Sequence, residues 1–211
     1  MNAVCLEPSL PAPCFAGRLC ALYWAGMAEP DERDDLVDQH DARLAAAGNR
    51  EAFERLVKRH QGWVGRQMWR FSRDRGEQEA LAQDVFVNAW LSLGSYRGDG
   101  PFEHWLSKIA VRTGYAFWRR ARQRAETRPL DEAKLAPAPE QASPAEAAEV
   151  VHGLLARLGP RDRVVVTLLN LEGRGVAEAA ELLGWSRSLV KAQAWRARRK
   201  MRRMLEQAGL A

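Results

Sequence analysis

Apolar residues recur every three or four positions along most of this 211-residue chain, the spacing of one helical face. In the run 76–93, Leu81, Val85, Ala89 and Leu93 repeat at every fourth position, with Phe86 and Trp90 beside them. That stripe is expected to face a core, leaving Gln83, Asp84 and Asn88 on the other side. Phe53, Leu56, Val57, Trp63, Val64 and Met68 form a comparable stripe, and Trp105, Leu106, Ile109 and Ala110 begin another. The pattern predicts helices over 32–47, 50–72, 76–93, 102–125, 145–158, 161–171, 175–183 and 186–206. Gly48-Asn49, the stretch from Gly94 to Gly100, Gly159-Pro160, Gly173 and Gly184 punctuate them. No run alternates with the period of a strand, so the expected fold is all-α. For the Trp and Phe residues of these stripes, core packing is the default; only an exposed ring would suggest stacking on a base.

Charge divides the chain. Residues 29–49 carry two cations and seven acids, net −5, and residues 50–128 carry sixteen and nine, net +7. Residues 129–150 return to −4, with one cation and five acids, and residues 151–211 carry twelve and five, net +7. The acidic stretch between the two basic blocks contains Pro129, Pro137, Pro139 and Pro144. Proline removes backbone donors and blocks the helical conformation of the residue before it. The expected organisation is therefore two small helical domains, 29–128 and 145–211, joined by a flexible acidic linker at 129–144. Two basic modules on a tether suit a polyanion with two separated contact sites. A plain solvated surface is the alternative on charge alone.

The second domain carries the sharper pattern. Val176, Ala179, Ala180 and Leu183 give one buried face, Gly184 a turn, Ser186 or Ser188 a cap for the next helix, and Leu189, Val190 and Ala194 a face that packs back. The small alanines allow close crossing, and the whole reads as a helix-turn-helix. Arg187, Lys191, Arg196, Arg198, Arg199, Lys200, Arg202 and Arg203 follow, with no acid between positions 182 and 205. So dense a charge on one helix is unfavourable without a polyanion, and DNA is favoured over an acidic protein.

A second cationic run, Arg119, Arg120, Arg122, Arg124 and Arg128, ends the first domain, with Lys108 and Arg112 upstream. Before that helix lies the glycine-rich, aromatic-flanked loop Ser95-Tyr-Arg-Gly-Asp-Gly-Pro-Phe102. Such a loop could hold an unpaired base, and it reads equally well as an ordinary helix connection.

Other chemistries find little support. The histidines at 40, 60, 104 and 152 are scattered. No phosphate-binding glycine loop, nucleophile elbow or deaminase zinc pattern occurs, so neither catalysis nor a bound cofactor is expected. Cys5, Cys14 and Cys20 all lie near the start and form no Cys-x-x-Cys pair. A metal site is not expected, and a reducing cytoplasm fits better than an oxidising compartment. No stretch is long and apolar enough for membrane insertion. Residues 1–28, interrupted by Pro8, Pro11 and Pro13, are expected to be a disordered extension or to precede the true start at Met27.

The order of motifs resembles the extracytoplasmic-function (ECF) sigma factors, a compact group within the sigma-70 family of bacterial RNA polymerase subunits. The resemblance rests on Glu51-Ala-Phe-Glu-Arg-Leu-Val57, Leu81-Ala-Gln-Asp-Val-Phe-Val-Asn-Ala-Trp90, the run from Ser95 to Ala110, and Trp118-Arg-Arg120. In the second domain it rests on Leu158-Gly-Pro-Arg-Asp-Arg163, Glu172-Gly173, the helix-turn-helix, Val190-Lys191 and Arg196-Ala-Arg198. It implies a four-helix region-2-like bundle and a region-4-like helix-turn-helix domain. It also implies a partnership with core RNA polymerase (β′ and β subunits) through Gln83, Asp84 and Asn88. The promoter −10 element would meet Tyr96, Arg97, Asp99, Phe102, Lys108, Arg112, Arg119 and Arg120. The −35 element would meet Arg187, Ser188, Lys191, Gln193, Arg196, Arg198 and Arg199. An anti-sigma factor would hold the protein inactive. The chain departs from the family pattern at Ala80, Arg112, Ala116, Ser188-Leu189 and Ala192-Gln193. Gln193 in place of arginine would favour adenine over guanine in the −35 element. A stand-alone DNA-binding regulator is the competing reading; it would need no polymerase-facing surface.

Overall fold

The computed structural model describes residues 32–126 and 144–207, and all regular structure among them is helical. The first domain holds α1 (Glu32–Ala46), α2 (Arg50–Met68), α3 (Arg75–Ser92), a 3₁₀ turn (Leu93–Ser95) and α4 (Phe102–Glu126). The second holds α5 (Pro144–Arg157), α6 (Pro160–Val166) with a π-helical turn at Thr167–Leu171, α7 (Val176–Leu183) and α8 (Arg187–Gln207). Every expected helix is present. The expected run 50–72 ends at Met68, and the rest of 161–171 unwinds after Val166 into the π turn. The segment 1–28 and the connector up to residue 143 lie outside the described residues; Pro144, placed at the end of the connector, begins α5 instead.

Local chemistry sets the helix ends. The Asn49 side chain accepts from the Ala52 amide at 3.0 Å and caps α2, and Asp74 accepts from the Glu77 amide at 2.8 Å and caps α3. Pro160 occupies the first turn of α6, where its missing N–H costs nothing. Gly184 ends α7 with φ +69°, a left-handed conformation that glycine adopts without strain.

The predicted stripes form the core of the first domain. Leu81, Val85, Ala89 and Leu93 are buried, and Phe53, Phe86 and Trp90 pack against them. The Trp118 indole N–H donates to the Phe71 carbonyl at 2.8 Å, tying α4 to the chain that leaves α2. Gly114 faces the same ring: a Cβ there would lie 2.3 Å from Phe71 Cδ1. Gly114→Ala is therefore expected to destabilise the domain by about 1–3 kcal/mol through overpacking. Thermal unfolding would show this as a lower Tm with unchanged helical content, and an unaltered Tm would show that Phe71 yields at no cost.

The acidic stretch before α2 has a structural role that charge counting did not reveal. Asp38 and Asp41 of α1 are buried against α2. Asp41 meets Arg55 at 2.5 Å and Arg59 at 2.6 Å, while Asp38 meets Arg59 and the His60 ring at 2.7 Å each. Burial alone would raise the Asp41 carboxyl, but the Arg55 and Arg59 guanidiniums outweigh it and hold it below the usual carboxylate range.

The two domains pack on one another. One apolar cluster runs from Leu56, Met68 and Leu106 through Val164, Val165 and Leu168 to Leu182 and Val190. A smaller cluster of Leu155, Leu158, Val166 and Ala197 joins α5, α6 and α8 within the second domain.

Candidate nucleic-acid interface

The helix-turn-helix forms as its spacing predicts, with two exchanges of face. Ala179, Ala180, Leu183, Val190 and Ala194 are buried, and the Ser186 hydroxyl accepts from the Leu189 amide at 3.2 Å, capping α8. Leu189, expected to pack inward, is exposed, because Val190 takes the inward position. Gln193, expected to read a base, is only 7% exposed. Its amide donates to Asp162 of α6, which also binds Lys200, and its carbonyl accepts from Arg196 at 2.6 Å. Gln193 thus fastens α8 to α6 and aims Arg196, and it is removed from the base-reading set.

On the outward face of α8, Arg187, Ser188, Lys191, Arg196, Arg198 and Arg199 are all exposed. At about 100° per residue, Trp195 falls in the middle of these positions. It is 62% exposed, with the Arg199 guanidinium 5.6 Å from its ring centroid. Trp195 belongs to none of the stripes expected to face a core and is not among the expected −35 contacts. Its place between Lys191 and Arg199 on the cationic side of the helix was the available signal.

In the first domain, the loop before α4 is clasped from within. The Tyr96 hydroxyl donates to the Gly100 carbonyl at 2.9 Å, and the Trp105 indole donates to Ser95 Oγ at 3.3 Å. Tyr96, Phe102 and Trp105 pack ring against ring, with centroids 5.3–5.6 Å apart. Phe102, placed by sequence at the −10 surface, is 1% exposed and belongs to the core. It props the loop and offers no face to a strand. Arg97 and Asp99 are exposed at the loop tip, and Arg119 and Arg120 are exposed on α4.

Lys108 and Arg112 are already engaged by the second domain. Lys108 Nζ lies 2.8 Å from Glu181 of α7, with His104 Nε2 3.4 Å from the same carboxylate. Hydrogen bonds from Lys108, then from His104, hold the Glu181 carboxyl below its ordinary range. Arg112 Nε donates to the Leu182 carbonyl at 3.3 Å, and the Tyr115 ring meets Trp185 edge-on at 5.7 Å.

The polar side of α3 is exposed, as expected. Asp84 lies 3.7 Å from Arg120 across an open groove of about 710 Å³ between α3 and α4. Asn88 donates to Thr113 at 3.2 Å, and Gln83 is exposed beside them. Val87 and Leu91, one turn apart on this helix, are 57% and 76% exposed. Both lie outside the inward stripe of Leu81, Val85, Ala89 and Leu93, so core periodicity does not mark them. Among the described residues, no three or more His, Cys, Asp or Glu side chains come together to hold a metal ion. No helix among them is long and apolar enough to cross a membrane.

Two helical domains, the second a helix-turn-helix with a cationic outer face, define a DNA-binding protein of the helix-turn-helix class. Comparison with known proteins bears this out: residues 56–124 match sigma-70 region 2 and residues 148–201 match sigma-70 region 4. The chain is 31% identical over 171 residues to the ECF RNA polymerase sigma factor SigM of Mycobacterium tuberculosis, covering 80% of this chain and 86% of SigM. It is 34% identical over 192 residues to the RNA polymerase sigma factor CnrH of Cupriavidus metallidurans, covering 84% of this chain and 96% of CnrH. The solved structure of CnrH in complex with the cytosolic domain of CnrY matches with a TM-score of 0.51 at 30% identity, covering 81% of this chain and 98% of that one. The chain belongs to the sigma-70 family and is an ECF sigma factor.

Proposed function

We propose that this protein binds core RNA polymerase, brings it to promoters, and helps open the −10 element, acting by binding alone. In this reading the outward side of α3, with Gln83, Asp84, Val87, Asn88 and Leu91, docks on the β′ subunit. The loop tip at Arg97 and Asp99 and the α4 face with Lys108, Arg112, Arg119 and Arg120 hold the opened −10 strand. Arg187, Ser188, Lys191, Trp195, Arg196, Arg198 and Arg199 meet the −35 element. An extruded base held by the first domain offsets an unpairing and unstacking cost of a few kcal/mol. The cytoplasm is the proposed compartment, and an anti-sigma factor is the proposed regulator, since CnrH was solved bound to CnrY.

The observation that carries this reading is the outward face of α8, where exposed cations surround an exposed tryptophan and no acid interrupts them. If about four of those cations meet phosphates, log affinity falls against log salt with a slope near −3.6. The reading is tested by gel-shift on promoter duplex with and without added core polymerase. Specific binding is expected only with polymerase, and tight binding by the chain alone as a dimer would favour a stand-alone regulator.

A further inference from the structure

We infer that Asp162, which lies outside the helix-turn-helix, is a positioning residue for promoter reading: through the Gln193 side-chain amide it holds the Arg196 guanidinium in the plane that reads a guanine of the −35 element. The inference rests on the assignment of the outward side of α8 to that element given above.

Asp162 sits in the first turn of α6, where the helix dipole favours a carboxylate, and it is only 2% exposed. Burial of Val164, Val165 and Val166 fixes the rest of that helix. On α8, Gln193, Ala194 and Ala197 are buried, and Ala197, one turn after Gln193, shares an apolar cluster with Val166. A residue as small as alanine lets the two helices approach closely enough for their polar side chains to meet.

Two donors from α8 reach the Asp162 carboxylate. The Gln193 amide nitrogen meets Oδ1 and the Lys200 ammonium meets Oδ2. A carboxylate only accepts hydrogen bonds. Gln193 must therefore turn its NH2 group to Asp162, which leaves its carbonyl oxygen for Arg196, whose Nη2 donates to it at 2.6 Å. The amide is not free to reverse. Reversal would set its carbonyl against the carboxylate and its NH2 group against the guanidinium. Lys200, one of the cations of this helix, is engaged by the same carboxylate.

The consequence falls on Arg196, which is exposed. A guanidinium reads guanine by presenting two parallel N–H groups to O6 and N7, so its plane decides whether the contact forms. A tether on Nη2 sets that plane before DNA arrives and leaves other donors of the fork for the base. Holding a long side chain ready in its bound rotamer is worth about fivefold in affinity. Aiming it wrongly loses the base contact itself, about tenfold or more. Base choice by α8 is thus set in part by a residue 31 positions away, on a helix that precedes the helix-turn-helix.

The test uses the full chain with core polymerase, bound to promoter duplexes in which each −35 base pair is substituted in turn. Wild type and Arg196→Ala identify the guanine: its substitution should weaken wild-type binding about tenfold and leave Arg196→Ala little affected. Asp162→Asn should lose the preference at that same base pair and at no other. In this variant Lys200 takes the oxygen of the new amide, whose NH2 group then faces Gln193 and forces it to reverse. Asp162→Asn combined with Gln193→Glu again offers an acceptor to both neighbours and should restore most of the preference. Thermal unfolding of each variant is the folding control. An unchanged preference in Asp162→Asn, or a preference that Arg196→Ala retains, would overturn the inference. So would a loss spread evenly over all −35 positions, or one that the double variant does not restore, because a plain clasp between α6 and α8 predicts both. If the wild-type holoenzyme distinguishes no −35 base pair at all, the −35 reading of α8 itself falls.

Discussion

Trp195→Ala is expected to weaken holoenzyme binding to the −35 element about tenfold, with the helix-turn-helix intact. The ring lies 62% exposed in the middle of the cationic face of α8, so its loss leaves the buried set Val190, Gln193, Ala194 and Ala197 untouched. An indole there can cover the methyl group of a thymine and donate its N–H, and a direct base contact of this kind is worth about 1–3 kcal/mol. Trp195→Phe should retain most of the binding. Lys191→Ala should act differently, weakening all sequences alike and reducing the salt slope by about 1, as expected of a phosphate contact. Fluorescence anisotropy on matched and mismatched −35 duplexes at several salt concentrations separates the two. Unchanged affinity for Trp195→Ala would mean that α8 docks through another face.

The second large effect is expected at α3. Leu91→Asp should reduce association with core polymerase by about thirtyfold or more, about 2 kcal/mol, the loss seen when a buried interface anchor is removed. Leu91 is 76% exposed and Val87, one turn earlier, 57%, an arrangement that a soluble helix gains nothing from unless a partner covers it. Asp84→Arg should add a smaller loss, and it would also set two guanidiniums against each other across the groove, since Arg120 lies 3.7 Å from Asp84. Co-migration with core polymerase on size exclusion reads both variants, with circular dichroism as the folding control. Wild-type association by Leu91→Asp would remove α3 from the polymerase interface.

Helical periodicity made most of the fold legible, because the core residues of α3, such as Leu81, Val85 and Ala89, obey local spacing. The helix-turn-helix was legible for the same reason, helped by Gly184 and the serine cap. What escaped depends on residues far apart in the chain. Gln193 looked like a base reader until Asp162, 31 residues away, turned it inward. Phe102 has the composition of a stacking platform, yet His60, Tyr96 and Trp105 enclose it. Asp38 and Asp41 entered only the charge count of residues 29–49, and their burial depends on Arg55, Arg59 and His60, which pair with them from the next helix. The packing of the domains on one another was hidden for a different reason. Two basic blocks on an acidic, proline-rich tether read as separate modules, while the contact rests on a shared apolar cluster and on single acids, Glu172 and Glu181, each set among cations.

The account is tested most directly by reconstituted transcription: the purified chain, core RNA polymerase lacking any other sigma subunit, and a library of upstream sequences, with transcript starts mapped. The expected result is initiation at discrete sites that share two sequence elements at a fixed spacing, dependent on this chain and abolished with Leu91→Asp. Starts that are identical with and without the chain, or a polymerase that never retains it in the absence of an inhibitor, would contradict the account.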